Sequence, residues 1–334
     1  MSGPAAVVYR TGESYAQRDV FGQTLLELVE EDPRVVVLDG DLANSTRSEI
    51  VAKARPDRFF MMGIAEQNMA GVAAGMATLG LIPWCVSFAC FIANRDLDQL
   101  RVVVAQPRLN VKLAGGYSGL LTGKSGKTHQ DVSDIATLRA MPNMIVIAPA
   151  DAVEVAAAMR AANAHDGPVY VRLTRDASPT IFGPDYRFEI GRAVIVREGN
   201  DVTIISTGVQ TIRALEAADL LAAEGIGAHV LHVPTVKPLD TDAVAAAAQR
   251  TGRVVTAEDH TIIGGLGAAV AETLGELAPT PMRRVGIRDT FGESAPNDEL
   301  LEKYGLTPRH VAEAAREVLR AGDQERGAAS RGRP

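Results

Sequence analysis

Cysteine and aromatic residues are scarce in this sequence: Cys85 and Cys90 are its only cysteines, and aromatics make up 4% with a single tryptophan. Two thiols on or beside one apolar stretch, PWCVSFAC, exclude a disulfide framework and a cysteine metal site, so both are expected to pack as reduced thiols. An excess of basic residues is also missing. Lys and Arg number 34 against 41 Asp and Glu, a formal net charge of -7, which leaves no overall electrostatic footprint for nucleic acid or an anionic membrane. No apolar run approaches the roughly 18 residues that a spanning helix needs. The first residues, MSGPAAVVYRTGESYAQRD, lack a basic start followed by an apolar stretch, and a soluble, cytoplasmic protein is expected.

Nucleotide-binding signatures fail on spacing. Gly119 and Gly123-Lys124-Ser125 enclose three residues where a phosphate-binding loop needs four, and Gly126-Lys127-Thr128 would need a glycine where Leu121 stands. Gly265-Leu-Gly267 follows a strand pattern and opens a helix pattern, but Val270 replaces the third glycine of a dinucleotide fingerprint.

What is present is a globular composition, 46% hydrophobic and 22% charged over 334 residues, enough for about two domains. From Val35 to about Leu173, short β-branched runs (VVVLDGD, PWCVSF, LNVKLAGG, MIVIAPA, PVYVRL) alternate with helical stretches. That rhythm predicts an α/β fold in which parallel sheets carry flanking helices. Residues 174–190 break it with two prolines, a glycine and mixed polarity, and it restarts at AVIVREG. The expected organisation is a first domain over 1–180, a second over 191–321, and a disordered, glycine- and arginine-rich tail over 322–334.

The segment Met62-Gly-Ile-Ala-Glu-Gln-Asn-Met69 places Glu66 at the entry of a helix of small and apolar residues. Taken alone, such a glutamate could simply complement the helix dipole, worth about 0.3–1 kcal/mol. The next apolar run holds Phe88 and Phe91, three apart in a chain poor in aromatics.

Together with GDLANS at 40–45, VSFACF at 86–91, DQLR at 98–101, KTHQDVSDIATLRAMPNMIVIAPAD at 127–151, VKPLD at 236–240 and AEDHTIIGGLG at 257–267, these segments resemble the transketolase family. They resemble in particular its pyrimidine-binding and C-terminal domains, over about Arg18 to Leu319. The resemblance implies thiamine diphosphate as cofactor. Glu66 would bond the ring nitrogen of its aminopyrimidine, a task suited to a buried carboxyl that shares a proton. It further implies that Phe88 and Phe91 stack on the pyrimidine, that Asp41 lies near the thiazolium, and that His129 faces the reacting carbonyl as hydrogen-bond donor or proton shuttle. Arg18, Ser45 and Arg175 match positions that hold a substrate phosphate, whereas His260 is expected to be structural or at an interface.

Two departures concern the substrate. Twelve residues before His129 the family often has a histidine where this chain has Tyr117, and four before it an aspartate where this chain has Ser125, flanked by Lys124 and Lys127. Tyr117 and Ser125 are therefore expected in an altered substrate channel. Gly40-Asp41 is followed by Leu42, not by the second glycine of the Gly-Asp-Gly motif that, with a distant asparagine, holds magnesium in thiamine enzymes. Magnesium (or calcium) and the diphosphate are thus expected on a separate partner subunit, in a heterotetramer with two of each chain. The activity implied is transfer of a two-carbon ketol unit from a ketose, often a phosphate, to an aldehyde. The alternative within the class is a split enzyme resembling 1-deoxyxylulose 5-phosphate synthase, or an acyloin-forming one, with a 2-oxo acid as donor; outside it stands a non-catalytic scaffold.

Overall fold

The computed structural model describes residues 9–331. Fourteen strands follow in chain order: β1 (Ser14–Ala16), β2 (Val35–Asp39), β3 (Phe59–Met61), β4 (Ile82–Phe88), β5 (Lys112–Gly116), β6 (Ile145–Ile147), β7 (Val169–Arg172), β8 (Ala177–Pro179), β9 (Val194–Arg197), β10 (Val202–Ser206), β11 (Ala228–His232), β12 (Thr235–Lys237), β13 (Val254–Thr261) and β14 (Met282–Ile287). Seven form one sheet in the order β12-β6-β7-β5-β4-β2-β3, parallel throughout except for β12. Five form a second sheet, β14-β13-β10-β11-β9, parallel except for β9, and β1 pairs with β8 in a small antiparallel ribbon.

Why the apolar runs become central strands is visible in β2. All its residues are buried; Val35 and Val37 enter a core shared with Phe21, Leu25 and Trp84, while Val36 and Leu38 enter another shared with Met69, Leu100 and Tyr170. A parallel sheet covered by helices on both faces needs apolar side chains at both parities, which is why the strand does not alternate. Helices Gln17–Glu31 and Ala152–Ala164 cover one face; Glu66–Thr78 and Asp134–Arg139 cover the other. The second sheet is enclosed likewise, with Gln210–Ala222 and Pro308–Arg331 on one side and Thr241–Thr251 and Leu266–Leu277 on the other.

The two sheets share more than a linker. β12 lies far past residue 190, yet it pairs with β6 at the edge of the first sheet. The final helix reaches Arg331, across most of the stretch whose composition suggests a disordered tail, and 332–334 lie outside the described residues. Both thiols are buried or half-buried, and burial pushes Cys90 up to about 12. None of the helices among the described residues is long and apolar enough to cross a membrane.

Candidate active site

In a parallel sheet the loops that leave the carboxyl ends of the strands converge on one edge, and ligands bind in the crevice there. On this edge β2 ends at Asp39, β4 at Phe88, β5 at Gly116 just before Tyr117, and β7 at Arg172 three residues before Arg175. Glu66 arrives as the first residue of helix Glu66–Thr78, after β3. Residues far apart in the chain, from Arg18 to Arg175, are thereby gathered into one place.

Glu66 is 2% exposed. Its carboxylate accepts from the Ser87 hydroxyl at 3.2 Å, and both of its oxygens lie 3.1 Å from Nη1 of Arg95. Gly40 makes room for Ser87: a Cβ there would lie a tight 3.2 Å from its Oγ, but at an ordinary contact distance of 3.6 Å from Glu66 Oε1. Beside the carboxylate stands an aromatic group. Phe88 and Phe91 stack at 5.9 Å, Phe88 and Tyr117 at 3.9 Å, and the His129 ring meets Phe88 and Phe91 edge-on at 5.8 and 5.6 Å. The Arg95 guanidinium lies 4.0 Å above the Phe91 ring.

His129 sits in the long loop after β5, and that loop is fixed largely by the C-terminal half. Gln130 donates to the carbonyls of Leu120, Gly123 and Glu293. The buried Asp259 carboxylate accepts from the Leu120 amide at 3.1 Å, and Gly119, at φ 72°, is required because a Cβ would fall 2.1 Å from Asp259 Oδ2. Nδ1 of His129 is 2.9 Å from the Thr128 hydroxyl. With that hydroxyl as donor, Nδ1 accepts, Nε2 carries the hydrogen of the neutral ring, and Nε2–H is free to donate a hydrogen bond.

Tyr117, held at φ 57°, is clasped by two arginines: Arg18 Nη1 donates to its hydroxyl at 3.1 Å, and the Arg175 guanidinium is 5.5 Å from its ring centre. Arg18 also points at the Ser45 carbonyl at 3.5 Å. The Nε of each arginine is buried without a hydrogen-bond partner among the described residues, and Nη1 of Arg175 lies 3.7 Å from the Asp176 carboxylate.

The structure thus brings together Glu66, Phe88, Phe91, Tyr117, His129, Arg18, Ser45 and Arg175. It leaves two candidates apart. Asp41 is exposed at φ 68°, and its side chain makes no hydrogen bond among the described residues; Asp39 ties the loop, accepting from the Leu42 amide and the Ser48 hydroxyl at 2.7 Å each. Ser125 is exposed at the end of the short 3-10 turn Gly123–Ser125, with exposed Lys124 and Lys127 on either side. His260 is fully buried between the two halves, its Nε2 accepting from the Ala136 amide, and burial lowers it to about 4. Sequence reasoning passed over Ser87, Gln130 and above all Arg95. The one signal for Arg95 is its position one helical turn after Phe91, where a charge reads as a solvated face.

The profile of the transketolase pyrimidine-binding domain matches residues 13–180, and that of the transketolase C-terminal domain matches residues 191–311. A 6-deoxy-6-sulfo-D-fructose transketolase subunit of Clostridium sp. (strain MSTE9) is 45% identical over 92% of this chain and 95% of its own. One subunit of the apulose-4-phosphate transketolase of Phocaeicola vulgatus is 37% identical over 91% and 98%. Among solved structures, a split-gene transketolase, described as an inactive beta4 tetramer, superposes with a TM-score of 0.85 at 48% identity, covering 91% of this chain and 98% of its own.

Proposed function

The chain belongs to the transketolase family, as a subunit made of the pyrimidine-binding and C-terminal parts, and from that premise we propose that Glu66, Phe88, Phe91 and His129 form the pyrimidine-activating half of its thiamine diphosphate site. The enzyme is a thiamine diphosphate-dependent transferase of ketol units that works with a partner subunit. We assign residues 1–180 to the cofactor half and 191–321 to holding its loops.

The observation that carries the site assignment is a buried carboxylate facing a stacked aromatic wall, with a planar cation already lying between them. A seat that accepts a flat, hydrogen-bonding guanidinium fits a flat aminopyrimidine. Bound there, the cofactor supplies the carbanion chemistry that the side chains lack. Glu66 holds the proton at the ring nitrogen, and Ser87 orients its carboxylate. Phe88 and Phe91 exclude water and fix the ring plane. His129, oriented by Thr128, donates to the carbonyl oxygen as charge develops on it.

Arg18 and Arg175 flank Tyr117 and would receive the anionic end of a ketose donor. The substrates in the names of the two transketolase subunits above carry a sulfonate or a phosphate, which agrees with this placement. Asp41 is proposed to lie under the thiazolium, and Ser125 at the rim of the substrate channel, where it replaces an acceptor of sugar hydroxyls. The diphosphate and its divalent cation are assigned to the partner subunit. Exposed Met61, Ile64 and Leu79 around the Glu66 helix offer that partner an apolar seat.

The test is hydrogen exchange at C2 of the cofactor bound to the reconstituted complex. Glu66→Gln should leave assembly intact and slow exchange by about 10²–10⁴-fold, the span of general acid–base effects. An unchanged rate would remove Glu66 from the role. Comparing kcat/KM for a phosphorylated ketose, its unphosphorylated form and a 2-oxo acid then separates ketol transfer from the 2-oxo acid alternative.

A further inference from the structure

Arg95 lies against the two residues assigned to the aminopyrimidine, Phe91 and Glu66. Its guanidinium lies 4.0 Å above Phe91, and Nη1 is shared by both Glu66 oxygens at 3.1 Å. Glu66 also accepts from Ser87, so the oxygen positions facing the wall are taken. The backbone of Arg95 is tied down: its amide donates to the Phe91 carbonyl at 2.9 Å and its carbonyl accepts from Gln67 at 3.0 Å. Its side chain is not enclosed, being 44% exposed against 1% for Glu66. A long, half-exposed arm on a fixed base has an unobstructed way out; the carboxylate it reaches has none.

We propose that Arg95 is a latch on the cofactor seat. In the chain without cofactor the guanidinium stands in for the aminopyrimidine, presenting the same flat face to Phe91 and the same kind of donor to Glu66. A buried carboxylate without a partner is costly, and removing one member of such a pair leaves an uncompensated charge. The empty site is therefore stabilised by Arg95, which swings outward when the ring enters. The two cannot coexist, because a ring nitrogen bonded to Glu66 would claim the oxygen positions and the face of Phe91 that the guanidinium holds. Apparent cofactor affinity is then reduced by the fraction of molecules in which the seat is open. This inference rests on the assignment of Glu66 and Phe91 to the pyrimidine site.

Calorimetric titration of thiamine diphosphate into the reconstituted complex tests it, with magnesium held constant. Arg95→Ala should tighten the cofactor Kd about tenfold, the scale of a latch closed in roughly nine molecules of ten, and should lower the Tm of the free chain. Millimolar guanidinium ion should restore the weaker Kd to Arg95→Ala and leave wild type unchanged. Arg95→Gln keeps a flat polar group without the charge, guards against loss of folding in the alanine variant, and should tighten Kd by a smaller factor. A cofactor Kd equal to or weaker than wild type in folded Arg95→Ala and Arg95→Gln overturns the latch. Phe91→Ala and Glu66→Gln distinguish the two failures: if they weaken cofactor binding while the Arg95 variants do not tighten it, only the latch is wrong, and if they too leave Kd unchanged, the site assignment falls with it.

Discussion

Next in sequence to Arg95, Asp96 is fully buried, and neither of its carboxylate oxygens has a hydrogen-bond partner among the described residues. Burial pushes it up from 3.8 to about 8, with the charge of nearby Glu66 adding to the effect. The folded chain thus holds this proton more tightly than the unfolded chain does. Its contribution to stability is fully present below 3.8 and is lost as pH rises through about 8. Asp96→Asn in the free chain should accordingly raise Tm at pH 9 by several degrees and by clearly less at pH 5, where only the first part of the loss has occurred; thermal melts at the two pH values would show it. Equal effects at both would mean that Asp96 ionises freely in the folded state. Two adjacent residues therefore treat charge in opposite ways: Arg95 compensates a buried carboxylate, and Asp96 is left without compensation.

At the scale of elements, the helix Ala152–Ala164 shows how a cap ties pieces together. Asp151 accepts from the Glu154 amide at 2.9 Å through one oxygen, and through the other from the amides of Ile181 and Phe182 at 2.7 and 2.8 Å. The first bond is an ordinary N-cap worth about 1 kcal/mol. The others satisfy the start of the segment that follows β8, and unsatisfied buried amides cost about 1–3 kcal/mol each. Asp151→Ala should therefore destabilise the chain by about 3 kcal/mol or more, read from urea unfolding, with Asn recovering part because it retains one acceptor oxygen. A loss below about 1 kcal/mol would show that water replaces these bonds.

At the scale of the whole molecule, the C-terminal half is a support for the site. β7 supplies Arg172, whose guanidinium bonds the Asp134 carboxylate and the Asp259 carbonyl, and Asp259 in turn fixes the loop leading to His129. In the proposed division of labour this chain supplies the pyrimidine wall, the carboxylate and the arginines, while nothing in its sequence repeats the Gly-Asp-Gly metal motif. Purified alone with thiamine diphosphate and magnesium, it should fold and show no ketol transfer, and addition of the partner subunit should bring activity. Robust turnover by the lone chain would refute the division of labour.

The sequence alone determined the alternation of strands and helices, because burial on both faces of a parallel sheet demands the continuous apolar runs seen in Val35–Asp39 and Ile82–Phe88. The resemblance of its motifs to the transketolase family also pointed to Glu66, Phe88, Phe91 and His129, and Tyr117 stood out as a departure from the family pattern. Only the tertiary structure decided which partners these residues meet. Periodicity encodes which face of a strand is buried, not which strand lies beside it, so the return of β12 to the first sheet was illegible. Arg18 meets Tyr117 across 99 residues of chain, and Asp39 rather than Asp41 ties its loop, since a strand-end turn decides which carboxylate points inward. Arg95 was hidden for a further reason. A long, flexible cation reads in sequence as a solvated charge, and only the position of Phe91 beneath it and Glu66 at its tip gives it a place to lie.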